Sequence, residues 1–405
     1  MKIIFRWFNK LYLLTLLLLY PLGRLMPRDK NLWVFGSFRD AFNDNTKYLF
    51  YYVTANYPQI QAVWLSNNPK TIAFLEKKGL PVVKRNSWKG IKTGLRAGIY
   101  FYNSLLRDAG FYTSKGARLV NLWHGTPIKK IGYDNDVGDR RKVYHEKMGL
   151  IERILRPDWL IKPTWFLSSS KFAVHAIFKS AFRMPEEQFL PIGYPRTDHF
   201  FLPRPQLIQF INAKESLETM GIIETLQQYA KIHIYMPTYR DTGNDFLQET
   251  GIDLAQLNEV MKARNELFIF KLHVITNKPM FDLTAYSHLY SIPSTVDIYA
   301  ILPFTDVLIT DYSSIYFDYL LLDKEIILFI FDHHKYQTAD RALYFEYGKE
   351  VDGAIARNFQ EMLHLLAAGK SLKQGTEAGI KQLFWDDYRG EASAELVRIL
   401  TAEHD

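Results

Sequence analysis

The chain has 405 residues, 48% of them hydrophobic, and no cysteine. That length exceeds one ordinary core and suits two domains with a cleft between them, while the missing thiols exclude disulfides, thiolate zinc sites and a cysteine nucleophile. The net charge of +7 is concentrated at the start, where Lys2, Arg6, Lys10, Arg24, Arg28 and Lys30 stand against Asp29 alone; the basic residues form no aromatic-interleaved groove of the kind nucleic acid requires.

Between the first cations lies a leucine-rich run over 11–20. As a helix it covers about 15 Å, half of a hydrocarbon core, which is short for a span. Flanking cations with Phe5, Trp7 and Tyr20 predict a membrane-associating segment over 1–30, lying against an anionic leaflet. A transmembrane signal-anchor starting at Ile3 is an alternative. A secretory signal shares the pattern, but Pro21 to Pro27 offers no clear small-residue cleavage site.

From residue 31 apolar strands alternate with amphipathic stretches. Strands are predicted over 32–35, 62–65, 81–83, 99–102 and 119–123, with a helix over 47–55 after a loop of capping residues. This half runs to 201, and Gly193, Tyr194, Pro195 and Arg196 lie near its end. A polar helical stretch over 202–228 reads as a linker. A second run follows over 229–405, with strands at 232–236, 267–272, 289–292, 307–309 and 326–331 and helices at 358–368 and 392–400. Two successive αβ halves predict an α/β fold of two doubly wound, Rossmann-like domains facing a cleft. The final helices either complete the second domain or brace the interface.

Ligands collect at the carboxyl ends of such strands, and the chemistry-bearing residues stand at those predicted ends. The strand over 119–123 delivers His124, a proton acceptor near neutral pH, followed by Gly125, Thr126, Pro127 and Lys129. In the second half Thr310, Asp311, Ser313 and Ser314 lead into a helix whose N–H groups attract phosphate, with Asp311, Ser314 and Asp318 expected on one helix face. Pro237, Thr238 and Arg240 follow another strand, and Lys271 and His273 a third. Arg240 and Lys271 suit neutralisation of a pyrophosphate, and His273 donation to a phosphoryl oxygen or the leaving group. Asp134-Asn-Asp136 has metal-site spacing but lies in a polar loop, and Asp332-His-His334 lacks further ligands. There is no Walker loop and no dinucleotide fingerprint.

The His-Gly-Thr-Pro run at 124–127 with Lys129, Gly193 to Arg196, Pro237 to Arg240, and Thr310 to Ser314 with Phe317 and Asp318, resemble the CDP-glycerol glycerophosphotransferase family, which includes teichoic-acid primases and polymerases. The resemblance runs from about residue 31 to about residue 400 and includes Asp44 to Leu49, Phe331-Asp332 and Tyr344 to Tyr347. It implies a GT-B architecture, CDP-glycerol or CDP-ribitol held mainly by the second domain, and a lipid-linked glycan or polymer acceptor approaching from the first. It implies transfer of an alditol phosphate with release of CMP, in teichoic-acid or capsule-like polymer synthesis. By the same resemblance His124 is the base, His273 engages the pyrophosphate, and Arg240, Lys271, Ser313 and Ser314 complete the cradle. The residues identified need no cofactor, with Mg2+ on the donor pyrophosphate left open, and the address implied is the cytoplasmic face of the membrane, as a peripheral protein. Two other readings compete: a GT-B glycosyltransferase using a nucleotide sugar, and a non-catalytic membrane-surface scaffold.

Overall fold

The computed structural model describes residues 19–135, 149, 157–238, 249–271, 282–339, 342–368 and 377–402. Most of the leucine-rich run, Arg240 and His273 lie outside them. Among the described residues no helix is long and apolar enough to cross a membrane.

Two parallel sheets form the frame. The first has the order β3-β2-β1-β4-β5-β6-β7, built from Asp29–Phe35, Gln61–Ser66, Val82–Lys84, Ala97–Tyr102, Arg118–Asn121, Trp165–Ser168 and Phe189–Pro191 in chain order, β1 to β7. Strands such as β4 and β2 are buried almost throughout, because helices cover both faces and no solvent side exists to impose alternation. The second sheet has the order β10-β9-β8-β11-β12-β13, from Lys231–Met236, Glu266–Phe270, Leu289–Ser291, Val307–Thr310, Glu325–Phe329 and Ala354–Ala356, β8 to β13. Each order reverses direction beside its first strand, between β1 and β4 and between β8 and β11, and a crevice opens where neighbouring connections part to opposite faces.

Several expectations are corrected. Strand β5 stops at Asn121, and Trp123 leaves the ladder with φ +54°. The stretch over 202–228 is helical as expected, but as two helices, Arg204–Lys214 and Leu217–Leu226. Strands β7 and β13, three residues each, are additional to those predicted. The helix Ala392–Ala402 packs against the helix Asp44–Asn56 of the first domain. There the Leu400 carbonyl accepts from Arg118, and the Asp198 carboxylate accepts from the N–H groups of Ala392 and Ser393. Arg28, counted among the flanking cations, is spent internally: its guanidinium donates to the carbonyls of Gly23, Gly94, Ala97, Thr113 and Lys115.

Candidate active site

The end of β5 is held in an unusual conformation by residues far away in sequence. Trp123 adopts a left-handed φ and Gly125 follows at φ +108°. For tryptophan this costs on the order of 1–3 kcal/mol, so neighbours must over-determine it. Buried Asn45 supplies that restraint, its amide donating to the carbonyls of Leu122 (3.1 Å) and Trp123 (2.9 Å). The resulting kink turns His124 out to solvent while its neighbours stay buried.

His124 Nδ1 lies 3.1 Å from the carbonyl of Asn103, at the end of β4. A carbonyl only accepts, so Nδ1 carries the proton of the neutral ring and Nε2 keeps the lone pair. Asn103 is itself fixed, its amide donating to Ser37 Oγ (3.1 Å) and Thr46 Oγ1 (3.0 Å) and its Oδ1 accepting from Thr46 N. The His124 ring is thereby oriented by the switch point of the first sheet.

Across the cleft, the switch point of the second sheet is sewn together in the same manner. Asp311 Oδ1 accepts from the N–H groups of Thr238 (2.8 Å) and Tyr312 (2.6 Å), and Thr310 Oγ1 donates to the Met236 carbonyl (2.7 Å). Pro237, Thr238, Thr310 and Asp311 are therefore buried organisers of the strand ends. Ser313 and Ser314 are half-exposed at the start of the short helix Ile315–Tyr319. Because that helix begins at Ile315, Asp311 sits in the preceding turn and does not share a helix face with Ser314 and Asp318.

The two motifs meet. A Cβ at Gly125 would stand 3.6 Å from Ser314 Oγ and 2.4 Å from Arg196 Nη2. The segment after it, at Ile128 and Lys130, exchanges backbone hydrogen bonds with Tyr344 and Ala342 of the second domain, and Lys129 bridges Leu343. Thr126 Oγ1 pairs with Ser169 Oγ at 2.7 Å, and Pro127 is half-buried.

Arg196, expected on the substrate, is instead 3% exposed and bridges the domains, donating to Asp44 Oδ1 (2.7 Å) and Asp318 Oδ2 (2.6 Å). Its backbone N–H reaches Asn45 Oδ1, and its guanidinium lies 4.4 Å over the Tyr299 ring. Burial opposes its charge, but Asp318, Tyr299 and Asp44 more than restore it. Burial pushes Asp318 up, while Arg196 and the Tyr299 hydroxyl, at 2.6 Å, pull it back. A second buried cation repeats the device: Lys47 contacts Glu215 (2.6 Å), between the helices Arg204–Lys214 and Leu217–Leu226, and Asp297 (2.9 Å) in the second domain. Lys271 donates to the carbonyls of Pro293 (2.7 Å) and Val296 (3.2 Å), and burial lowers its pKa to about 8.

Sequence reasoning read Asp44 to Thr46 as loop and cap, and passed over Asn103. The available signal was a run of four polar residues, Asp44, Asn45, Thr46 and Lys47, directly before the aromatic and aliphatic run Tyr48 to Val53. Among the other polar motifs, Asp134 accepts from the Ser180 and Tyr344 hydroxyls, and Asp332 from Tyr312.

A family model described as CDP-Glycerol:Poly(glycerophosphate) glycerophosphotransferase matches residues 18–400. A teichoic acid poly(glycerol phosphate) polymerase of Bacillus subtilis is 26% identical over 373 residues, which cover 88% of this chain and 46% of that protein, so the chain spans about half the length of that relative. A teichoic acid glycerol-phosphate transferase of Staphylococcus aureus is 27% identical over 361 residues, 86% of this chain and 87% of that one. Among solved structures, the wall teichoic acid polymerase TagF superposes with a TM-score of 0.72 at 25% identity, covering 93% of this chain and 89% of that one. A single-site variant of TagF soaked with CDPG gives 0.71 at 25% identity, with the same coverage.

Proposed function

The chain belongs to the CDP-glycerol:poly(glycerophosphate) glycerophosphotransferase family, and on that premise we propose that it transfers glycerol phosphate from CDP-glycerol to a hydroxyl of a membrane-linked acceptor, releasing CMP, in the synthesis of teichoic acid or a capsule-like polymer. The observation that carries this reading is the approach of the His124 loop to Ser314 through Gly125. An imidazole on one domain thereby stands near the Ser313 and Ser314 hydroxyls of the other.

In the reaction, His124 Nε2 takes the proton of the acceptor hydroxyl as its oxygen attacks the β-phosphorus of the donor. The new P–O bond forms in line with the breaking bond to the α-phosphate oxygen, and CMP leaves with that electron pair. Such a transfer needs positioning and charge neutralisation more than covalent help. In this scheme the Ser313 and Ser314 hydroxyls donate to phosphoryl oxygens. Arg240 and His273 are proposed to complete the cradle, with Lys271 bracing the 293–296 loop beside it. Mg2+ on the donor pyrophosphate is compatible with this scheme.

The relatives named for glycerol phosphate, and the TagF variant soaked with CDPG, support CDP-glycerol as donor. A ribitol-phosphate primase of Bacillus spizizenii, 29% identical over 203 residues, keeps CDP-ribitol as the second donor to test. The leucine-rich, basic start supports a peripheral address on the cytoplasmic face of the membrane. The experiment is CMP release from CDP-glycerol, CDP-ribitol and UDP-sugars with a lipid-linked acceptor, alongside mass spectrometry of the product. A glycerol-phosphate increment supports the reading; a hexose increment from a UDP-sugar replaces it with glycosyl transfer.

A further inference from the structure

The carbonyls of Leu122 and Trp123 are consecutive, yet both point at one side chain, the amide of Asn45. In an extended strand successive carbonyls point to opposite sides, so a single donor group meets both only where the chain turns sharply between them, as it does at Trp123 with φ +54°. Asn121 Oδ1 closes the same turn from within, accepting from the Trp123 N–H at 2.9 Å. The next residue is His124.

Asn45 is fully buried, and both ends of its amide are engaged. Nδ2 donates to the two carbonyls, and Oδ1 accepts from the Arg196 backbone N–H at 3.1 Å. An oxygen turned toward the carbonyls would meet only acceptors, so the sense of the amide is fixed. The residue type follows from the same requirement: aspartate has no donor for the carbonyls, and serine has one where two are needed.

The residue whose backbone binds Asn45 also sends its guanidinium to the second domain. Arg196 Nη2 donates to Asp318 Oδ2 at 2.6 Å, in the short helix that follows Ser313 and Ser314. The Tyr299 hydroxyl donates to the same oxygen at 2.6 Å. A buried chain of bonds therefore runs from Asp318 through Arg196 and Asn45 to the carbonyl that precedes His124. We propose that Asn45 is a positioning residue for His124, and that it holds the ring in place through the docking of the second domain on Arg196. Without the amide, Trp123 returns to an ordinary negative φ and His124 leaves the Asn103 carbonyl. The use of that ring as a base rests on the proposed transfer; its placement stands or falls separately.

The test combines NMR of protein labelled with 15N-histidine and steady-state kinetics, with His124→Gln identifying the His124 signals. The wild type should show a neutral ring protonated at Nδ1 alone, as the Asn103 carbonyl requires. In Asn45→Ala the ring should exchange between its two tautomers. There kcat should fall about a hundredfold with both KM values little changed, the size of effect that misplacing a reacting group by about 1 Å produces. Both are measured where circular dichroism shows the variant folded, so a purely structural role would lower the urea midpoint and leave them unmoved. Asn45→Ser, which keeps one donor, should lose about tenfold and keeps the test open if alanine prevents folding. Asp318→Ala, although in the other domain, should loosen the His124 ring in the same way. A wild-type ring already in exchange, an unchanged ring in the folded Asn45 or Asp318 variants, or wild-type kcat in the folded Asn45 variants would overturn the proposal. If the wild type releases no CMP, the transferase reading fails by itself and the NMR arm still decides the positioning.

Discussion

Gly125 and Ser314 belong to different domains, yet a methyl group on the glycine would lie in van der Waals contact with the serine hydroxyl. The glycine is required twice over, by its φ of +108° and by Arg196 Nη2 at 2.4 Å from the missing Cβ. Gly125→Ala should therefore cost about 1–3 kcal/mol of stability and lower kcat as the domains are wedged apart. Urea midpoints and CMP release measured on one preparation would check both; an alanine variant with wild-type values of each would show that the contact is slack.

Removal of the base tests the centre of the scheme. His124→Ala should lower kcat by about two to four powers of ten with the donor KM little changed, since positioned proton transfer contributes that much. Asn103→Ala should cost less, because the carbonyl that orients His124 belongs to the backbone while the lost amide only fixes that loop. A steady-state comparison of the two variants would rank them; equal losses would contradict the assignment.

Arg196→Met should destabilise the protein by about 3–5 kcal/mol, because Asp318 and Asp44 are left without their cation and Asp318 is buried. Adding Asp318→Asn should recover part of that loss. A double-mutant cycle by urea unfolding measures the coupling, and additive losses would mean that the bridge carries no energy of its own.

His199 is the acid-sensitive point of the interface. It is stacked on Tyr48 at 4.8 Å with Nε2 2.8 Å from the Tyr299 carbonyl, and burial lowers its pKa to about 4. Between that value and the unfolded pKa of about 6.5 the unfolded chain holds more protons. Stability contributed by the neutral ring is therefore present above about pH 6.5 and lost as pH falls to about 4, by about 3 kcal/mol. His199→Phe should flatten this dependence, which urea midpoints between pH 4 and 7 would reveal.

Lys271 should set the basic limb of activity. With its pKa lowered to about 8 by burial, the ammonium that holds the Pro293 and Val296 carbonyls is lost as pH rises through that value. The rate should fall with it, and Lys271→Arg should carry activity to higher pH, because a guanidinium stays protonated. A pH–rate profile with the same basic limb in both proteins would assign it elsewhere.

Much of this was legible in the chain. The strands at β1, β2, β8, β9 and β12 show as short apolar runs because parallel strands are buried on both faces. His124 and the serines of 313–314 are visible because turn residues and polar groups follow such runs directly. The helix Asp44–Asn56 was seen, yet the work of Asn45 was not, since its partners at Leu122 and Trp123 lie 77 and 78 residues away. Arg196 illustrates the opposite error. Its setting in a polar motif suggested a ligand contact, and only the third dimension shows two carboxylates consuming it. Sequence spacing cannot distinguish a cation that meets substrate from one that joins domains.

The crossing of the helix Ala392–Ala402 back to the first domain bears on how the protein is made. Leu396, Val397 and Leu400 are buried in the same core as Trp33, Phe35 and Phe50 of the first domain. That core therefore lacks part of its filling until residues 392–402 have left the ribosome. The usual order, in which an N-terminal domain finishes folding while the next is being synthesised, is closed to this chain. Its first domain waits, with apolar surface uncovered, for a segment translated more than 150 residues after the helix Leu217–Leu226.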